Sequence, residues 1–269
     1  MSGFELGPAL LFCPADRPER FAKALERADA VILDLEDAVL PEAKAAARAN
    51  LEVADLDPAR VIVRVNAPTS SHFAADVETL SRTDFRTVMV AKTESVESLT
   101  ALDPRHALVA LIETARGVHA VGAIAADPRV VALMWGAEDL VASLGGTSSR
   151  AAGGAYRDVA RYARSRVLVE AGAHDKAAID AVHVDIDDEA GLRGEAEDAA
   201  ASGFRATACI HPRQVPVVRA AYRPDDAAVA WAHGVLRAAA TERGVFRHEG
   251  RMIDEPVLRH ARAIVSRAG

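Results

Sequence analysis

Short apolar segments rich in β-branched residues alternate along the chain with segments rich in Ala, Arg and Glu. This alternation predicts parallel strands joined by crossover helices. Eight apolar segments follow the pattern, and eight parallel strands close a (β/α)8 barrel. The predicted strands span residues 9–14, 30–36, 61–66, 87–92, 107–114, 130–139, 181–186 and 206–212.

The segments between the strands and the long tail complete the predicted architecture. Pro18 and Pro41 are each followed by a glutamate, and proline and acidic residues are preferred in a first helical turn. After the eighth strand the chain continues for more than fifty residues, which exceeds one closing helix. We therefore predict an α/β fold, with a modified (β/α)8 TIM barrel over residues 1–222 and a C-terminal helical extension over residues 223–269.

Composition and charge narrow the range of partners. Half of the 269 residues are hydrophobic, so the chain can bury a large core. The formal net charge of −7 argues against a nucleic acid or an anionic membrane as the main partner, because phosphate binding requires clustered Lys and Arg. Small molecules are therefore the expected ligands.

The two cysteines and the length of the apolar segments indicate where in the cell the protein is expected. Cys13 and Cys209 lie in apolar segments without metal-binding spacing, which predicts reduced core thiols in a cytoplasmic protein. The N-terminus lacks a basic start followed by an apolar stretch and a cleavage site, and no segment has 18 uninterrupted apolar residues. We expect neither export nor a membrane span.

Polar residues stand at the carboxyl end of nearly every predicted strand. In a barrel these ends converge on one rim, where active sites are built. A charge at the end of an otherwise buried strand is tolerated when it emerges at that rim. The rim residues are Glu36, Asp37, Arg64, Asn66, Lys92, Glu113, Glu138, Asp139 and His211.

Each rim residue also has a structural interpretation. Glu36 and Asp37 could cap the following helix. Lys92 could be a solvated lysine, and Arg64 could be an internal ion-pair partner. As a set, however, five acids with one arginine and one lysine would repel or pair unproductively without a ligand, which favours a binding site. For His211, its position in an Ile-His-Pro turn favours a role in that turn over catalysis.

The carboxylates on neighbouring strands indicate a metal site. Glu113 and Asp139 end adjacent predicted strands, with Glu36 and Asp37 nearby. This set suits a hard divalent cation that accepts a few carboxylates and keeps waters or substrate oxygens, and Mg²⁺ is the expected ion. Zinc is not expected, because no pair of histidines has helical ligand spacing.

Small residues follow the sixth predicted strand in the segment WGAED. Gly136 and Ala137 would let backbone N–H groups approach a carboxylate beside the metal. The alternative is a glycine required only by the geometry of the strand end. The next segment, residues 144–158, is predicted to be a long loop of the kind that often has a function.

Seven motifs together resemble a known family. They are LFCPADRPERFAKA, LDLEDAV, VRVN, LIETARG, GAEDL, CIHPRQV and MIDEPV, in this order, between about residues 10 and 265. The chain resembles the citrate lyase β-subunit-like family of the HpcH/HpaI aldolase/citrate lyase group, and within it the stand-alone actinobacterial members. Each motif alone is weakly specific, but the ordered set is highly specific.

The resemblance implies a fold, an assembly and a reaction. The implied fold is a modified (β/α)8 barrel whose C-terminal extension acts as a lid on a neighbouring subunit of a homotrimer or a dimer of trimers. The implied reaction is Mg²⁺-dependent carbon–carbon cleavage of a 3-hydroxyacyl-CoA thioester of the citramalyl-CoA, malyl-CoA or 3-hydroxy-3-methylglutaryl-CoA type. The products would be acetyl-CoA and an oxo acid.

The resemblance also implies roles for particular residues. Glu113 and Asp139 would bind the metal directly, and Glu36 and Asp37 would hold metal-bound waters. The substrate would be bound by Arg64, Glu113, Gly136, Ala137 and Glu138. Coenzyme A would contact Arg17, Arg20, Lys23, His211 and Pro212.

Asp254 of the MIDEPV motif would reach in from the neighbouring subunit as the catalytic acid/base, and Arg64 would stabilise the enolate. The structural alternative for Asp254 is an N-cap of the last helix.

Two positions depart from the pattern of many family members. Ala206 and Thr207 stand where a Gly-Lys pair is common, and Ala91 stands where a proline precedes the lysine of the fourth strand. If that missing lysine helps to bind the phosphates of coenzyme A, the basic residues near the start of the chain must contribute more here.

Three other functions are compatible with the sequence. The first is a citryl thioester lyase subunit that works with a carrier protein. The second is a metal-dependent aldolase of the pyruvate type, which needs no thioester site. The third is a catalytically silent trimer that binds acyl-CoA.

Overall fold

The structure is a computed structural model and describes residues 3–242 and 244–268. The chain divides into two compact units, Met1–Val218 and Arg219–Gly269. Among the helices of the described ranges, none combines the length and the apolar character needed to cross a bilayer.

The first unit is a closed barrel of eight parallel strands, in which each strand pairs with the next and the eighth pairs with the first. This confirms the predicted barrel. The strands are β1 (Ala9–Pro14), β2 (Ala30–Asp34), β3 (Val61–Val65), β4 (Thr87–Val90), β5 (Ala107–Ile112), β6 (Val130–Trp135), β7 (Ala177–Asp180) and β8 (Ala206–Cys209).

Eight helices belong to the barrel segment of the chain. They are α1 (Phe21–Arg27), α2 (Lys44–Glu52), α3 (Phe73–Ser81), α4 (Ala115–Ala125), α5 (Ala137–Ser143), α6 (Asp158–Ala173), α7 (Glu189–Ser202) and α8 (Gln214–Tyr222). Single 3₁₀ turns occur at Pro18–Arg20, Pro41–Ala43, Pro58–Arg60 and Glu97–Leu99. The segment 91–106, all of it described, joins β4 to β5 through the last of these turns instead of an α-helix.

Successive side chains along each strand point alternately into the interior of the barrel and outwards to the surrounding helices. In β2, Ala30 and Ile32 point into the interior core with Ile62 of β3 and Met89 of β4, all fully buried. The intervening Val31 is equally buried and belongs to the opposite face. Because both faces are covered, the strands read as continuous apolar segments, as the sequence analysis assumed.

The seventh predicted strand, residues 181–186, was wrong. The strand is Ala177–Asp180, and Ile179 pairs with Ala206 of β8. The chain leaves the barrel at Asp180, and Val184 and Ile186 are 48% and 41% exposed, so the apolar alternation after Asp180 belongs to a loop. The sequence does not reveal the actual strand, because its two alanines resemble the alanine-rich helix that precedes it.

The second unit contains α9 (Asp226–Ala239), the antiparallel strands β9 (Phe246–His248) and β10 (Arg251–Ile253), and α10 (Glu255–Ala268). The small hairpin was not predicted. Ala232 and Val235 of α9 pack with Ile253 and Ala261 in the core of this unit. Asp254 lies between β10 and α10, and its Oδ1 accepts a hydrogen bond from the Val257 N–H at 3.3 Å, so it caps the helix.

Candidate active site

Inward-pointing positions carry polar side chains where the strands reach the carboxyl-end rim of the barrel. Asp34 of β2 is aligned with Arg64 of β3 in the parallel register. Ile112 of β5 is aligned with Trp135 of β6, so the next residues, Glu113 and Gly136, are also neighbours. The same period that fills the interior with apolar side chains therefore brings Asp34, Arg64 and Glu113 to one mouth.

Asp34 and Arg64 form a buried two-point ion pair. The Nε and Nη2 atoms of Arg64 donate to the two carboxylate oxygens of Asp34, each at 2.6 Å. Asp34 also accepts the backbone N–H groups of Glu36 and Ala38, at 2.8 and 3.0 Å. Burial alone would raise the pKa of Asp34, but the charge and hydrogen bonds of Arg64 outweigh it and lower the pKa.

The third nitrogen of Arg64 faces a second acid. Its Nη1 lies 3.1 Å from Oε2 of Glu36, and the guanidinium stands 4.8 Å from the ring centre of Phe12. Burial tends to lower the pKa of Arg64, but the carboxylates of Asp34 and Glu36 have the larger opposite effect. The pKa is therefore raised, and the guanidinium is a permanent cation. The predicted internal ion pair of Arg64 is confirmed, and the side chain also lines the cavity described below.

Four carboxylates surround the side chain of Lys92, and we call Glu36, Asp37, Glu113 and Asp139 the carboxylate cluster. The Lys92 ammonium donates a short hydrogen bond to Oε1 of Glu36. It also lies 3.5 Å from Oδ2 of Asp37, 3.5 Å from Oδ1 of Asp139 and 4.0 Å from Oε1 of Glu113. The structure thus brings together the four predicted metal-site acids around one cation and excludes a solvated role for Lys92.

The backbone of Lys92 is held in an uncommon conformation. Its φ angle is +49°, in the left-handed region that is costly for a residue with a side chain, by about 1 kcal/mol or more. In this conformation the Lys92 N–H donates to Oε1 of Glu113 at 2.9 Å. The turn after β4 therefore directs both the amide and the ammonium of Lys92 towards the acids.

Two acids of the carboxylate cluster are hard to ionise where they stand. The pKa of Glu113 is raised to about 8, mainly by burial and also by Asp139, although Lys92 and Arg64 oppose the rise. Burial also raises the pKa of Glu36, against the opposing effect of Arg64 and Lys92. The two local cations therefore do not fully offset the cost of holding these acids in their ionised form.

The chemistry of the carboxylate cluster fits Mg²⁺, which prefers carboxylate oxygens and water. Glu113 is buried at the inner wall, whereas Asp139 is more exposed at the outer edge, so an ion between them would keep open coordination positions. In the described ranges, no three His, Cys, Asp or Glu side chains already stand in ligating geometry. The acids are arranged around the Lys92 ammonium instead.

Gly136 lines the rim cavity described below and leaves room for the side chain of Glu113. Its N–H donates to the Ile112 carbonyl at 3.1 Å, so it is not free to bind an anion. A Cβ at this position would lie 2.8 Å from Oε2 of Glu113 and 2.9 Å from its Cβ. Glycine is therefore required to leave room for the Glu113 side chain beside β6.

A cavity of about 360 Å³ opens at the rim next to these groups. Its polar wall includes Arg64, Glu113, Glu138 and Asp139, and its floor and far wall are apolar. The apolar lining residues include Phe12, Leu111, Met134, Ala181, Val182 and Ile210. The arrangement suits a small anionic ligand with an apolar portion.

Supporting contacts that the sequence did not predict hold the loop after β2. The buried Lys44 ammonium donates to the carbonyls of Leu35 and Glu36, at 2.7 and 2.8 Å, and fixes the loop that carries the acids. Asn66 donates its side-chain amide to the Leu35 carbonyl at 2.9 Å, and its N–H to the buried Asp76 at 2.9 Å. The capping role considered for Glu36 and Asp37 is wrong, because neither α2 nor the 3₁₀ turn before it has a side-chain cap.

The residues predicted to bind coenzyme A lie at the ends of two adjacent strands. Arg17, Arg20 and Lys23 follow β1 and are exposed, and the two arginines lie 3.9 and 3.8 Å from the acids that precede them in sequence. His211 and Pro212 follow β8, which pairs with β1. The Arg213 N–H donates to Nδ1 of His211 at 3.2 Å, which confirms that His211 fixes its own turn.

Glu138 and Ala137 complete the set of predicted site residues. Both line the cavity at the first turn of α5. Oε1 of Glu138 accepts a hydrogen bond from the Ser149 hydroxyl at 2.6 Å. Glu138 therefore ties the long Gly-containing loop to the rim, a contact that the sequence did not predict.

Comparisons with known proteins agree with this geometry. Residues 9–212 match the family described as HpcH/HpaI aldolase/citrate lyase. The citrate lyase subunit beta-like protein of Mycobacterium tuberculosis is 56% identical over 263 residues, which cover 98% of this chain and 96% of that protein. The mitochondrial citramalyl-CoA lyase of Homo sapiens is 32% identical over 97% of this chain and 85% of that protein.

A solved structure is also very similar. The crystal structure of the protein CitE from Mycobacterium tuberculosis, in complex with magnesium, acetoacetate and coenzyme A, superposes with a TM-score of 0.93. The two chains are 55% identical, and the similarity covers 98% of each.

Proposed function

The chain belongs to the HpcH/HpaI aldolase/citrate lyase family, and we propose that it is a Mg²⁺-dependent carbon–carbon lyase acting on a 3-hydroxyacyl thioester of coenzyme A. The substrate is of the citramalyl-CoA, malyl-CoA or 3-hydroxy-3-methylglutaryl-CoA type, and the products are acetyl-CoA and an oxo acid. Two buried free thiols, Cys13 and Cys209, support a reducing, cytoplasmic location.

The observation that carries the proposal is the gathering of five acids beside the cavity. Asp34, Glu36, Asp37, Glu113 and Asp139 share their described ion pairs with two cations, Arg64 and Lys92. A divalent cation would favour the ionised form of these acids and supply further positive charge. Glu113 and Asp139 would hold it directly, and Glu36 and Asp37 would hold its waters.

The reaction breaks the bond between C2 and C3 of the acyl chain. When bound, Mg²⁺ supplies Lewis acidity towards the hydroxyl and carboxylate oxygens of the substrate. The 3-hydroxyl gives its proton to the acid/base group, for which we propose Asp254, and becomes the carbonyl group of the departing oxo acid. The electron pair of the broken bond passes to the thioester as an enolate, and protonation of C2 gives acetyl-CoA.

Arg64 is suited to stabilise the enolate oxygen. Its Nε and Nη2 are fixed by Asp34, so the guanidinium is oriented before the substrate binds. Its Nη1, which faces Glu36 at 3.1 Å, is the atom that a substrate oxygen would contact. A charge held ready in a mostly buried site stabilises a developing negative charge without reorganisation.

We further propose that Asp254 protonates the enolate carbon from a neighbouring subunit of a homotrimer or a dimer of trimers. Asp254 belongs to a compact unit of its own, at the start of α10. Val257 and Leu258 near the start of α10 are half-buried within that unit. A lid of this kind excludes water and completes the catalytic groups on closure.

Refolding mixed oligomers tests the role of Asp254. Asp254→Ala and Arg64→Ala proteins, each expected to be inactive, are unfolded together and refolded. Activity should return, because some mixed sites contain both wild-type groups. No recovery would mean that Asp254 acts within its own chain or only caps α10.

For coenzyme A we propose the basic residues after β1, with His211 and Pro212 after β8. β1 and β8 are paired, so both groups lie on one side of the rim, and Arg17, Arg20 and Lys23 are exposed enough to reach phosphates.

A mass-spectrometric screen of hydroxyacyl-CoA thioesters, with and without Mg²⁺, tests the function. We expect equal amounts of acetyl-CoA and oxo acid, only with Mg²⁺. Turnover only of a carrier-bound thioester would indicate a citryl lyase subunit, and turnover of free oxo acids would indicate an aldolase. Binding without products would indicate a silent protein, and free coenzyme A without acetyl-CoA would indicate hydrolysis.

A further inference from the structure

The side chain of Lys92 stands at the centre of the carboxylate cluster, where the proposed function requires a divalent cation. We propose that Lys92 is a tethered counter-cation that holds the four acids together in the metal-free protein and competes with Mg²⁺ for them. The inference rests on the proposed function, and it assigns to this lysine the control of metal affinity.

The distances put the ammonium between the two proposed metal ligands. Nζ lies 3.5 Å from Oδ1 of Asp139 and 4.0 Å from Oε1 of Glu113, and it also contacts Glu36. Mg²⁺ binds oxygen at about 2.1 Å, so an ion shared by Glu113 and Asp139 would occupy nearly the same space. Two cations that close would also repel each other strongly.

The Lys92 side chain can leave without disturbing the barrel. Its backbone is held by the N–H donated to Glu113 at 2.9 Å and by the turn after β4. The side chain is 29% exposed, so a rotation about its flexible stem would move the ammonium into solvent. The exchange of cations is therefore a side-chain movement alone.

Another lysine near the site shows what Lys92 lacks. The Lys44 ammonium is buried and donates to two backbone carbonyls, so it is a fixed structural donor. The Lys92 ammonium instead faces carboxylate side chains, and its side chain is partly exposed to solvent. A group placed in this way can be exchanged for another cation.

Metal titration of the metal-free protein tests the competition. Lys92→Met keeps the length of the side chain and removes its charge, and it should bind Mg²⁺ about tenfold more tightly or better by isothermal titration calorimetry. Without metal this variant should melt at a lower temperature than the wild type, and Mg²⁺ should restore the difference. Lys92→Arg keeps the charge and should bind Mg²⁺ no more tightly than the wild type.

The matched control is Lys176→Met, which removes a lysine just before β7, at the opposite end of the barrel, and should leave Mg²⁺ affinity unchanged. Equal or weaker affinity in Lys92→Met, with normal binding in the wild type, would overturn this inference and leave the proposed function standing. Absence of Mg²⁺ binding in both proteins would overturn both.

A measurement on the wild-type protein does not depend on any variant. Amine acetylation followed by mass spectrometry reports how accessible each lysine is. Saturating Mg²⁺ should increase the acetylation rate of Lys92 several-fold and leave that of the buried Lys44 unchanged. A Lys92 rate that does not respond to Mg²⁺ would contradict the exchange of cations.

Discussion

Two polar networks in the barrel unit differ in how their charges balance. In the first, the carboxylate cluster and Asp34 form their described ion pairs with Arg64 and Lys92. In the second, which we call the β7 network, Arg164 donates to both oxygens of Asp180, at 3.0 and 2.9 Å. Arg150 of the same network donates to Glu195, whose Oε2 also lies 2.9 Å from Nδ1 of His183.

This difference in charge balance indicates a binding site at the carboxylate cluster and a structural role for the β7 network. In the β7 network Asp180 pairs with Arg164 and Glu195 pairs with Arg150, so these two carboxylates have partners within the protein. The network also anchors Trp135 through its Nε1 donation to Asp180 at 2.5 Å. The carboxylate cluster has more acids than cations paired with them, so we propose that another cation completes it.

The largest expected effect comes from an acid of the carboxylate cluster. Glu113→Gln should lower kcat/KM by about 10³-fold, because it removes a proposed metal ligand beside the reacting atoms. The metal-free variant should unfold at no lower denaturant concentration than the wild type, since burial and Asp139 raise the pKa of Glu113 to about 8 and the ionised form is disfavoured. Near-normal turnover would remove Glu113 from the site.

In the β7 network the corresponding change should affect stability first. Arg164→Met leaves the buried Asp180 without its partner and should lower the free energy of unfolding by about 3 kcal/mol, measured by urea denaturation. Arg161→Met removes an exposed pair with Asp158 and should cost less than about 1 kcal/mol. Equal losses of unfolding free energy in Arg164→Met and Arg161→Met would show that burial does not make one ion pair more important than the other.

Arg64→Lys tests whether the geometry of the guanidinium matters or only its charge. We expect a loss of about 10²-fold in kcat, because an ammonium cannot hold both oxygens of Asp34 and also face the cavity. Steady-state kinetics at saturating Mg²⁺ measure the effect. A near-normal kcat would indicate that Arg64 is only an ion-pair partner.

The smallest expected effect is a pH dependence in the β7 network. The hydrogen bond to Glu195 raises the pKa of His183 above its ordinary value of 6.5, despite the opposing effect of burial. The stabilisation is therefore fully present below pH 6.5 and is lost as the pH rises through the raised pKa. The stability difference between wild type and His183→Gln should shrink over that range.

The control for this pH dependence is His119→Gln, on the exposed side of α4, which should leave the pH dependence of stability unchanged. A stability difference for His183→Gln that does not vary with pH would contradict the assigned ion pair.

The barrel was predictable because its strands are covered on both faces and read as apolar segments. β7 was the exception, since Ala177 and Ala178 give little apolar signal and the following Val184 and Ile186 imitate a strand. The hairpin of the second unit was missed for a similar reason. Its strands have three residues each, which is too few to show a period of two.

The rim acids were predictable because polar residues end apolar strands. Their arrangement was not, because Lys92 meets Glu36 across 56 positions of sequence and only the closed barrel sets that distance. The role of Gly136 also depends on a neighbouring strand, through the space that Glu113 needs. Asp34 lies within the LDLEDAV motif, but its pairing with Arg64 requires the strand register.

The most direct test of the central claim is calorimetric titration of the metal-free protein with Mg²⁺. We expect one site per chain in the wild type, loss of that site in Asp139→Asn, and unchanged affinity in Arg164→Met. This result would show that the unbalanced carboxylate cluster binds the cation and that the balanced β7 network does not. Unchanged binding in Asp139→Asn, or loss of binding in Arg164→Met, would contradict the account.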